Sequence, residues 1–291
     1  MSKVFLVTGS SRGLGRQIAE KVLAAGHRLV ATARRPEQLA DLVERYGDQV
    51  RAVALDVTDP AAARAAVAAA VDAFGGLDVV VNNAGYANVA SVEDITDADF
   101  REQLDTNLLG VVNVTKAALP VLREQGAGHV IQVSSVGGRM TTPGLSAYQA
   151  AKFAVGGFSE VLAQEVAPLG IKVTVLEPGG MRTDWAGSSM TIHPVSPAYE
   201  PTVGQVNTMM RSSLVLNAAG DPAKVADVVL TVADLDEPPV RLLLGSDAYG
   251  YATRLGQLRA ESDEKWRDLS VSTDHDDATS SDIDPLAVLN S

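Results

Sequence analysis

A serine, a tyrosine and a lysine are spaced so that they could act together on one substrate oxygen. Tyr148 and Lys152 lie four residues apart in a segment with helical periodicity, so both can contact the same ligand. Ser135 follows an apolar run that predicts a strand, which places it at the carboxyl edge of a sheet, where open α/β folds bind ligands. We expect the Lys152 ammonium to lower the pKa of Tyr148 from its usual ~10. The three residues together predict general acid/base chemistry.

A glycine-rich turn lies between the first predicted strand and a predicted helix, with the spacing Gly9-x-x-x-Gly13-x-Gly15. Gly9 permits a tight turn, Gly13 lets the backbone approach a pyrophosphate, and Gly15 lets the helix pack closely on the sheet. Backbone N–H groups at the helix N-terminus then face the phosphates. The glycines alone are also compatible with a turn that binds nothing, but the flanking strand and helix favour a dinucleotide site.

The order of these motifs resembles the short-chain dehydrogenase/reductase family over about Lys3 to Thr183. The resemblance implies that Tyr148 is the general acid/base, that Ser135 hydrogen-bonds the substrate oxygen and that Lys152 also binds the nicotinamide ribose. It implies that Asn107 holds a water linking Lys152 to solvent, although Asn107 could instead be satisfied inside its helix. The further motifs that carry the resemblance are Thr8 before the turn, Asp56 after the third strand, Asn82-Asn83-Ala84-Gly85 after the fourth, and Pro178-Gly179 after the sixth.

The same resemblance implies which residues bind the cofactor. Asp56 would hydrogen-bond the adenine amino group, and Met181 and Thr183 would hold the nicotinamide carboxamide. Asp56 and Thr183 could each instead cap a helix. The full expected set is Gly9, Ser11, Arg12, Gly13, Leu14, Gly15, Arg34, Asp56, Val57, Asn83, Ala84, Gly85, Tyr148, Lys152, Pro178, Gly179, Met181 and Thr183.

The end of the second predicted strand bears on the choice of cofactor. NAD enzymes of this type place a carboxylate there for the adenosine ribose, whereas this chain has Ala33 followed by Arg34 and Arg35. Together with Arg12 in the glycine turn, these guanidiniums could bind the 2′-phosphate of NADP(H) through paired hydrogen bonds. The sequence therefore favours NADP(H) over NAD(H). The alternative is that Arg34 and Arg35 only begin a solvated helix before Pro36.

Seven short apolar runs alternate with segments of helical period. Because the runs are unbroken, we expect strands covered on both faces. The pattern predicts an α/β, doubly wound Rossmann fold with a seven-stranded, mostly parallel sheet and helices on both faces. The predicted strands are Val4 to Val7, Leu29 to Ala33, Val50 to Leu55, Leu77 to Val81, His129 to Val133, Lys172 to Leu176 and Val240 to Leu244.

We expect residues 1–272 to form one cofactor-binding and catalytic domain, with a substrate lid at about 181–217. The lid carries apolar side chains that suit an apolar substrate, or that simply pack the lid against its own body. Residues 273–291 contain five Asp and no Lys or Arg, which predicts a disordered acidic tail. The apolar lid residues are Met181, Trp185, Met190, Ile192, Val195, Tyr199, Val203, Val206, Met209 and Met210.

The composition excludes several other functions. The 291 residues contain no cysteine and only four scattered histidines, so we expect no metal site. A formal net charge of −12 argues against a nucleic-acid partner. No apolar run approaches the ~20 residues of a membrane helix, and the first residues lack a signal peptide, so we expect no membrane association and a cytoplasmic location.

The motifs together predict an NADP(H)-dependent oxidoreductase, a ketoreductase that interconverts a small-molecule carbonyl compound and its secondary alcohol. One alternative is a cofactor-binding sensor without turnover, although its Ser-Tyr-Lys set should then be broken. A sugar-nucleotide epimerase or dehydratase is a second alternative, although its glycine spacing normally differs. The family resemblance also implies a homodimer or homotetramer formed through the helices at about Phe100 to Leu119 and Ala147 to Ala167.

Overall fold

A computed structural model of the protein describes residues 2–182, 190–211 and 218–279. The predicted cofactor contact Thr183, parts of the predicted lid and the end of the predicted acidic tail lie outside these ranges. The chain divides into two compact units, Met1–Tyr251 and Ala252–Ser291. The domain limits predicted above, with a boundary after Ser272, stay a prediction.

The first unit is built on a seven-stranded sheet in the order β3-β2-β1-β4-β6-β7-β9. Every pair of neighbouring strands is parallel, as expected for strands joined by helical crossovers. The doubly wound fold and all seven predicted strands are therefore confirmed, with ends that move by one or two residues. The strands are β1 Val4–Val7, β2 Arg28–Ala33, β3 Val50–Ala54, β4 Val79–Asn82, β6 Gly128–Val133, β7 Ile171–Pro178 and β9 Arg241–Leu244.

Two further strands form a separate small sheet. β5, Ala87–Val89, pairs in parallel with β8, Met190–Ile192. The sequence pattern predicts neither strand, because three residues are too few to show a period.

Helices cover both faces of the large sheet, and local capping explains where several begin. Asp59 accepts a hydrogen bond from the backbone N–H of Ala61 at the start of α3, and Asp221 does the same for Ala223 at the start of α8. A proline follows each cap, at the first helical position. The helices of the first unit are α1 Gly13–Ala24, α2 Ala40–Tyr46, α3 Pro60–Phe74, α4 Asp97–Leu104, α5 Gly110–Gln125, α6 Ser146–Val166, α7 Gln205–Arg211 and α8 Pro222–Asp234. Helix α9, Ser246–Lys265, begins in the first unit and continues into the second, which also contains α10, Arg267–Val271.

The apolar core has one layer on each side of the sheet, because successive strand residues point to opposite faces. In β1, Phe5 faces the layer formed with α1 and α8, and Leu6 faces the layer formed with α3, α5 and α6. Both side chains are fully buried. Each such burial contributes about 1.5–3 kcal/mol to folding, so the two layers fix the sheet whose edge carries the site.

None of the described helices has the length and apolar composition that crossing a bilayer requires. The part of the chain that the structure describes also holds no group of three His, Asp or Glu side chains placed to bind a metal ion.

Candidate active site

A cleft of about 1200 Å³ lies at the carboxyl ends of the parallel strands. Residues at or just after the ends of six strands line it: Gly9, Ala33, Leu55, Asn83, Val133 and Pro178. It crosses the point where the chain order of the strands reverses, with β1 lying between β2 and β4. Ligands of open α/β sheets bind at such switch points.

One end of the cleft is formed by the glycine turn and the N-terminus of α1. A Cβ atom at Gly15 would lie 2.2 Å from the Gly9 carbonyl oxygen, so only glycine lets the helix approach the turn. Gly13 differs, because among the described residues no atom beyond its immediate chain neighbours and its own helix backbone lies within 4 Å of the position of its Cβ, and its φ is +55°. Gly13 therefore exposes bare backbone to the cleft, which is the surface that a diphosphate needs.

The Thr8 side chain ties the ends of β1 and β4 together. Its Oγ1 accepts hydrogen bonds from the backbone N–H groups of Asn83 at 2.9 Å and Ala84 at 3.0 Å. The Asn83 side chain in turn donates to the Thr8 carbonyl at 2.9 Å. These bonds hold Asn83, Ala84 and Gly85 against the glycine turn, a role that the sequence analysis did not assign to Thr8.

Three arginines, Arg12, Arg34 and Arg35, line the cleft beside the glycine turn and make this part of it positively charged.

The carboxylate of Asp56 also lines the cleft, near Arg34. Its Oδ1 accepts hydrogen bonds from the Thr58 backbone N–H at 3.0 Å and the Thr58 hydroxyl at 2.8 Å. The Thr58 N–H above all, together with the Thr58 hydroxyl and the Arg34 charge, holds the pKa of Asp56 below its usual value. Asp56 is therefore an ionised acceptor at neutral pH.

Ser135, Tyr148 and Lys152 come together at the other end of the cleft. The Ser135 side chain lies close enough to the Tyr148 hydroxyl to lower its pKa by hydrogen bonding. The Lys152 ammonium donates to the Val133 carbonyl at 2.9 Å and lies 5.7 Å from the centre of the Tyr148 ring. Ser135 Oγ also accepts the Gly137 N–H at 3.0 Å, which fixes the turn that follows β6. The geometry suits proton exchange with an oxygen placed beside Ser135 and Tyr148.

Burial dominates the protonation of this group. It raises the pKa of Tyr148 to about 12, against the lowering effect of the Ser135 hydrogen bond. It lowers the pKa of Lys152 to about 8. The spacing of the two residues predicts that Lys152 lowers the pKa of Tyr148, whereas in the structure burial raises it.

Asn107 lies behind the cleft and does not line it. It is fully buried in a π turn, Asp105–Leu109, that joins α4 to α5. Its Oδ1 accepts the Tyr86 N–H at 3.0 Å and its Nδ2 donates to the Tyr86 carbonyl at 2.9 Å. Asn107 thus holds the chain that follows Gly85, and its expected role in binding a water stays a prediction.

A buried ion-pair cluster supports the turn after Ser135. Glu177, beside Pro178 in β7, is 0% exposed and accepts hydrogen bonds from Arg139 at 2.7 Å and from Arg241 Nε at 3.0 Å. Arg241 also donates to Glu160 on α6 at 2.9 Å and to the Gly138 carbonyl at 3.4 Å. The cluster joins β7, β9, α6 and the Ser135 turn.

The structure brings together in one cleft every predicted site residue that it describes, except Asn107. Besides the residues discussed above, Ser11, Leu14, Val57, Ala84, Gly85, Gly179 and Met181 line it. Further residues that line the cleft were not predicted from the sequence: Gln38, Thr58, Tyr86, Asn88, Glu102, Asp105, Thr106, Ser134, Gly180 and Thr191. Closeness to a strand end could have identified Thr58, Ser134 and Gly180, whereas Asn88 and Thr191 depend on the small sheet.

Six of the apolar lid residues that the structure describes pack against the body of the protein. They form a cluster with β5, Leu145 and Tyr148. Within the described part of the lid, Met181 is the only one of the apolar residues named above that lines the cleft. The clustered lid residues are Met190, Ile192, Val195, Tyr199, Val203 and Met210. This packing is the second of the two possibilities that the sequence left open, and it takes away the main support for an apolar substrate.

Comparison with known proteins gives a consistent set of matches. A family model described as short chain dehydrogenase matches residues 3–191. Oxidoreductase BOA17 of Botryotinia fuckeliana is 56% identical over 94% of this chain and 100% of its own length.

Two solved structures are also similar. The crystal structure of a short-chain dehydrogenase from Streptomyces avermitilis has a TM-score of 0.86 and 42% identity, and the match covers 94% of this chain and 100% of that one. An alcohol dehydrogenase from Thermococcus sibiricus, complexed with 5-hydroxy-NADP, has a TM-score of 0.69 and 26% identity, covering 84% of this chain and 96% of that one.

Proposed function

From the premise that the chain belongs to the short-chain dehydrogenase family and is an oxidoreductase, we propose that it interconverts a carbonyl group and a secondary alcohol with NADP(H). The proposal rests on one observation: Ser135, Tyr148 and Lys152 lie together at one end of a single cleft. The other end presents bare backbone at Gly13 beside three arginines. A proton-exchanging group and a dinucleotide cradle therefore share one space.

The cleft fits a nicotinamide dinucleotide. Gly13 and the N-terminus of α1 would hold the diphosphate, since the backbone there has no side chain in the way. Asp56 would accept a hydrogen bond from the adenine amino group, and Pro178, Gly179 and Met181 would border the nicotinamide. When bound, the cofactor supplies or accepts the hydride.

The residues around the end of β2 support NADP(H) over NAD(H). Ala33 offers no carboxylate to a ribose 2′-hydroxyl, and Arg34 and Arg35 offer guanidinium donors to a 2′-phosphate. The alcohol dehydrogenase from Thermococcus sibiricus is described with an NADP derivative, which is consistent with this preference.

Three side chains of this protein handle the substrate oxygen. Reduction adds a hydride to the carbonyl carbon and a proton to its oxygen, so the balance requires one proton donor. Tyr148 holds that proton, because its raised pKa keeps it a phenol at neutral pH. Ser135 hydrogen-bonds the same oxygen, and the positive charge of Lys152 stabilises the phenolate that forms. In alcohol oxidation the proton moves in the opposite direction.

The test is a measurement of Michaelis constants for NADPH and NADH with the wild-type protein, on a panel of steroid, acyl-thioester, aliphatic and quinone carbonyls. We expect turnover of at least one class, with a clear preference for NADPH. A preference for NADH would overturn the cofactor assignment. Tight NADPH binding without turnover of any of these carbonyl classes would overturn the assignment as an enzyme.

We also propose that the protein is a homodimer or homotetramer assembled through α5 and α6, the helices that the family resemblance indicates. Val161 on α6 is an exposed apolar side chain, as is Leu109 just before α5. Light scattering should give a mass of two or four chains, and replacing Val161 with Glu should lower it. A monomeric wild-type protein would contradict the proposal.

A further inference from the structure

The small sheet formed by β5 and β8 has one apolar face and one polar face. Ala87 lies opposite Met190 and Val89 opposite Ile192, and all four belong to the apolar cluster that includes Tyr148. Between them, Asn88 lies opposite Thr191. Because strand residues alternate between faces, Asn88 and Thr191 share the other face, and both line the cleft. We call these two residues the polar pair.

The Asn88 side chain is poorly satisfied by the protein. Asn88 is only 8% exposed, and its backbone N–H donates to Gln103 at 2.9 Å. Its side-chain amide has no hydrogen-bond partner among the residues that the structure describes, and neither has the Thr191 hydroxyl. Asn88 lines the cleft, so its amide is open to a group bound there. Polar side chains that reach a cleft commonly find their hydrogen-bond partner in what the cleft binds.

The polar pair lies at the catalytic end of the site. Asn88 follows a short segment that lies close to Lys152. Within this segment, a Cβ at Gly85 would lie 3.8 Å from the Lys152 ammonium, and Asn107 holds the Tyr86 backbone in place. The neighbours Ala87 and Val89 pack in the same cluster as Tyr148. A group that contacts the polar pair therefore belongs to the substrate rather than to the adenosine half of a dinucleotide.

The chemistry of the polar pair indicates that its partner is neutral. Neither an asparagine amide nor a threonine hydroxyl carries a charge, and the Lys152 ammonium already donates to the Val133 carbonyl. An amide and a hydroxyl can each both donate and accept, which matches a hydroxyl group or a second carbonyl.

We propose that Asn88 and Thr191 recognise a second, uncharged oxygen function of the substrate, so that the substrate class is a hydroxylated ketone or dicarbonyl and the corresponding diol. This inference rests on the proposed function, because it concerns the same cleft. It names specificity-determining residues, since a site built to bond a hydroxyl discriminates strongly against the analogue that lacks it.

The experiment compares ketones that differ by one hydroxyl. Cyclohexanone is measured against 2-, 3- and 4-hydroxycyclohexanone, and 1-decalone against its monohydroxylated derivatives, with NADPH. We expect the wild type to favour at least one hydroxylated member by about 10-fold or more in kcat/KM. Asn88→Leu and Thr191→Val should each remove most of that preference while keeping turnover of the plain ketone. Thr208→Val is the matched control, because the Thr208 hydroxyl donates to the Gly204 carbonyl just before α7 and Thr208 does not line the cleft.

A binding measurement separates recognition from chemistry. In a Tyr148→Phe background loaded with NADP⁺, calorimetry should show tighter binding of a cyclohexanediol than of cyclohexanol, and Asn88→Leu or Thr191→Val should abolish the difference. Because Thr191 is exposed, its variant should fold even where the Asn88 variant does not. Turnover without a hydroxyl preference would refute substrate recognition by the polar pair but not the proposed function. A preference that survives both substitutions would have the same meaning. Absence of NADPH-dependent turnover on every ketone overturns the proposed function and the polar pair with it.

Discussion

At the scale of single residues, the buried Tyr148 and Lys152 show what spacing can and cannot predict. A separation of four residues on a helix predicts that the two side chains share a face, and the structure places both in the cleft. It does not predict how much water each loses. Burial moves both groups toward their neutral forms, which sequence spacing could not reveal because the surrounding walls come from β5, β6 and the lid.

The first prediction concerns the Tyr148 hydroxyl. Tyr148→Phe removes the proton donor but keeps the ring that packs against β5, so kcat should fall by about 10²–10⁴ while the Kd for NADPH changes little. Steady-state kinetics and fluorescence titration measure the two quantities. Tyr199→Phe is the matched control, because the Tyr199 hydroxyl donates to Glu93 outside the cleft. Residual activity near that of the wild type would refute the acid/base role.

The second prediction concerns the charge of Lys152, which is 4% exposed. Its pKa falls from 10.5 to about 8 on folding, so the native state releases its proton before the unfolded state does. Below pH 8 both states are charged, and burying that charge destabilises the native state. As pH rises from about 8 toward 10.5, only the unfolded state keeps the proton, and stability is gained.

Lys152→Met should therefore be inactive yet more stable than the wild type at pH 7, by about 1–3 kcal/mol. The advantage should shrink as pH approaches 10. Urea unfolding of both proteins between pH 7 and pH 10 gives the difference between their free energies of unfolding. Because the other titrating groups are the same in both proteins, their contributions drop out of this difference. An advantage that does not change with pH would contradict the shifted pKa.

At the scale of elements, β7 depends on the carboxylate of Glu177 next to Pro178. Glu177→Gln leaves Arg139 and Arg241 without their buried partner, and breaking a buried pair loses about 3–5 kcal/mol. Glu160→Gln is the matched control, since Glu160 bonds the same Arg241 but its side chain is 48% exposed, and its loss should be below about 1 kcal/mol. Urea unfolding measures both, and equal losses would contradict a special role for the buried carboxylate.

The elements also show where sequence reasoning stops. The seven long apolar runs predict the sheet because each run spans enough residues to reveal its burial. The π turn that holds Asn107 and the three-residue strands β5 and β8 have no period of their own. They exist because of contacts between distant segments, such as Asn107 with Tyr86 and Ala87 opposite Met190, which no local pattern encodes.

At the scale of the whole molecule, a net charge of −12 coexists with a positive patch formed by Arg12, Arg34 and Arg35. Overall charge should repel an anionic cofactor, whereas the local guanidiniums attract its phosphates. Over a Debye length of about 10 Å at 0.1 M salt, the nearer charges dominate. The acidic composition is therefore compatible with binding a dinucleotide.

The fourth prediction follows from this patch. Replacing both Arg34 and Arg35 with Ser should raise the KM for NADPH by about 10–100-fold and change the KM for NADH by no more than about 3-fold. In the wild type the KM for NADPH should also rise more steeply with salt than that for NADH, and the double substitution should flatten this dependence. Equal effects on the two cofactors would mean that the arginines do not contact a 2′-phosphate.

The two-sided small sheet has a consequence for how this protein can change over evolutionary time. Positions 87, 89, 190 and 192 serve the core, while positions 88 and 191 face the cleft. On the proposed role of the polar pair, substitution at 88 or 191 redirects substrate choice while the packing behind Tyr148 stays intact. Proteins that share this core would then differ in substrate, and exchanging those two residues would be a short mutational route from one selectivity to another.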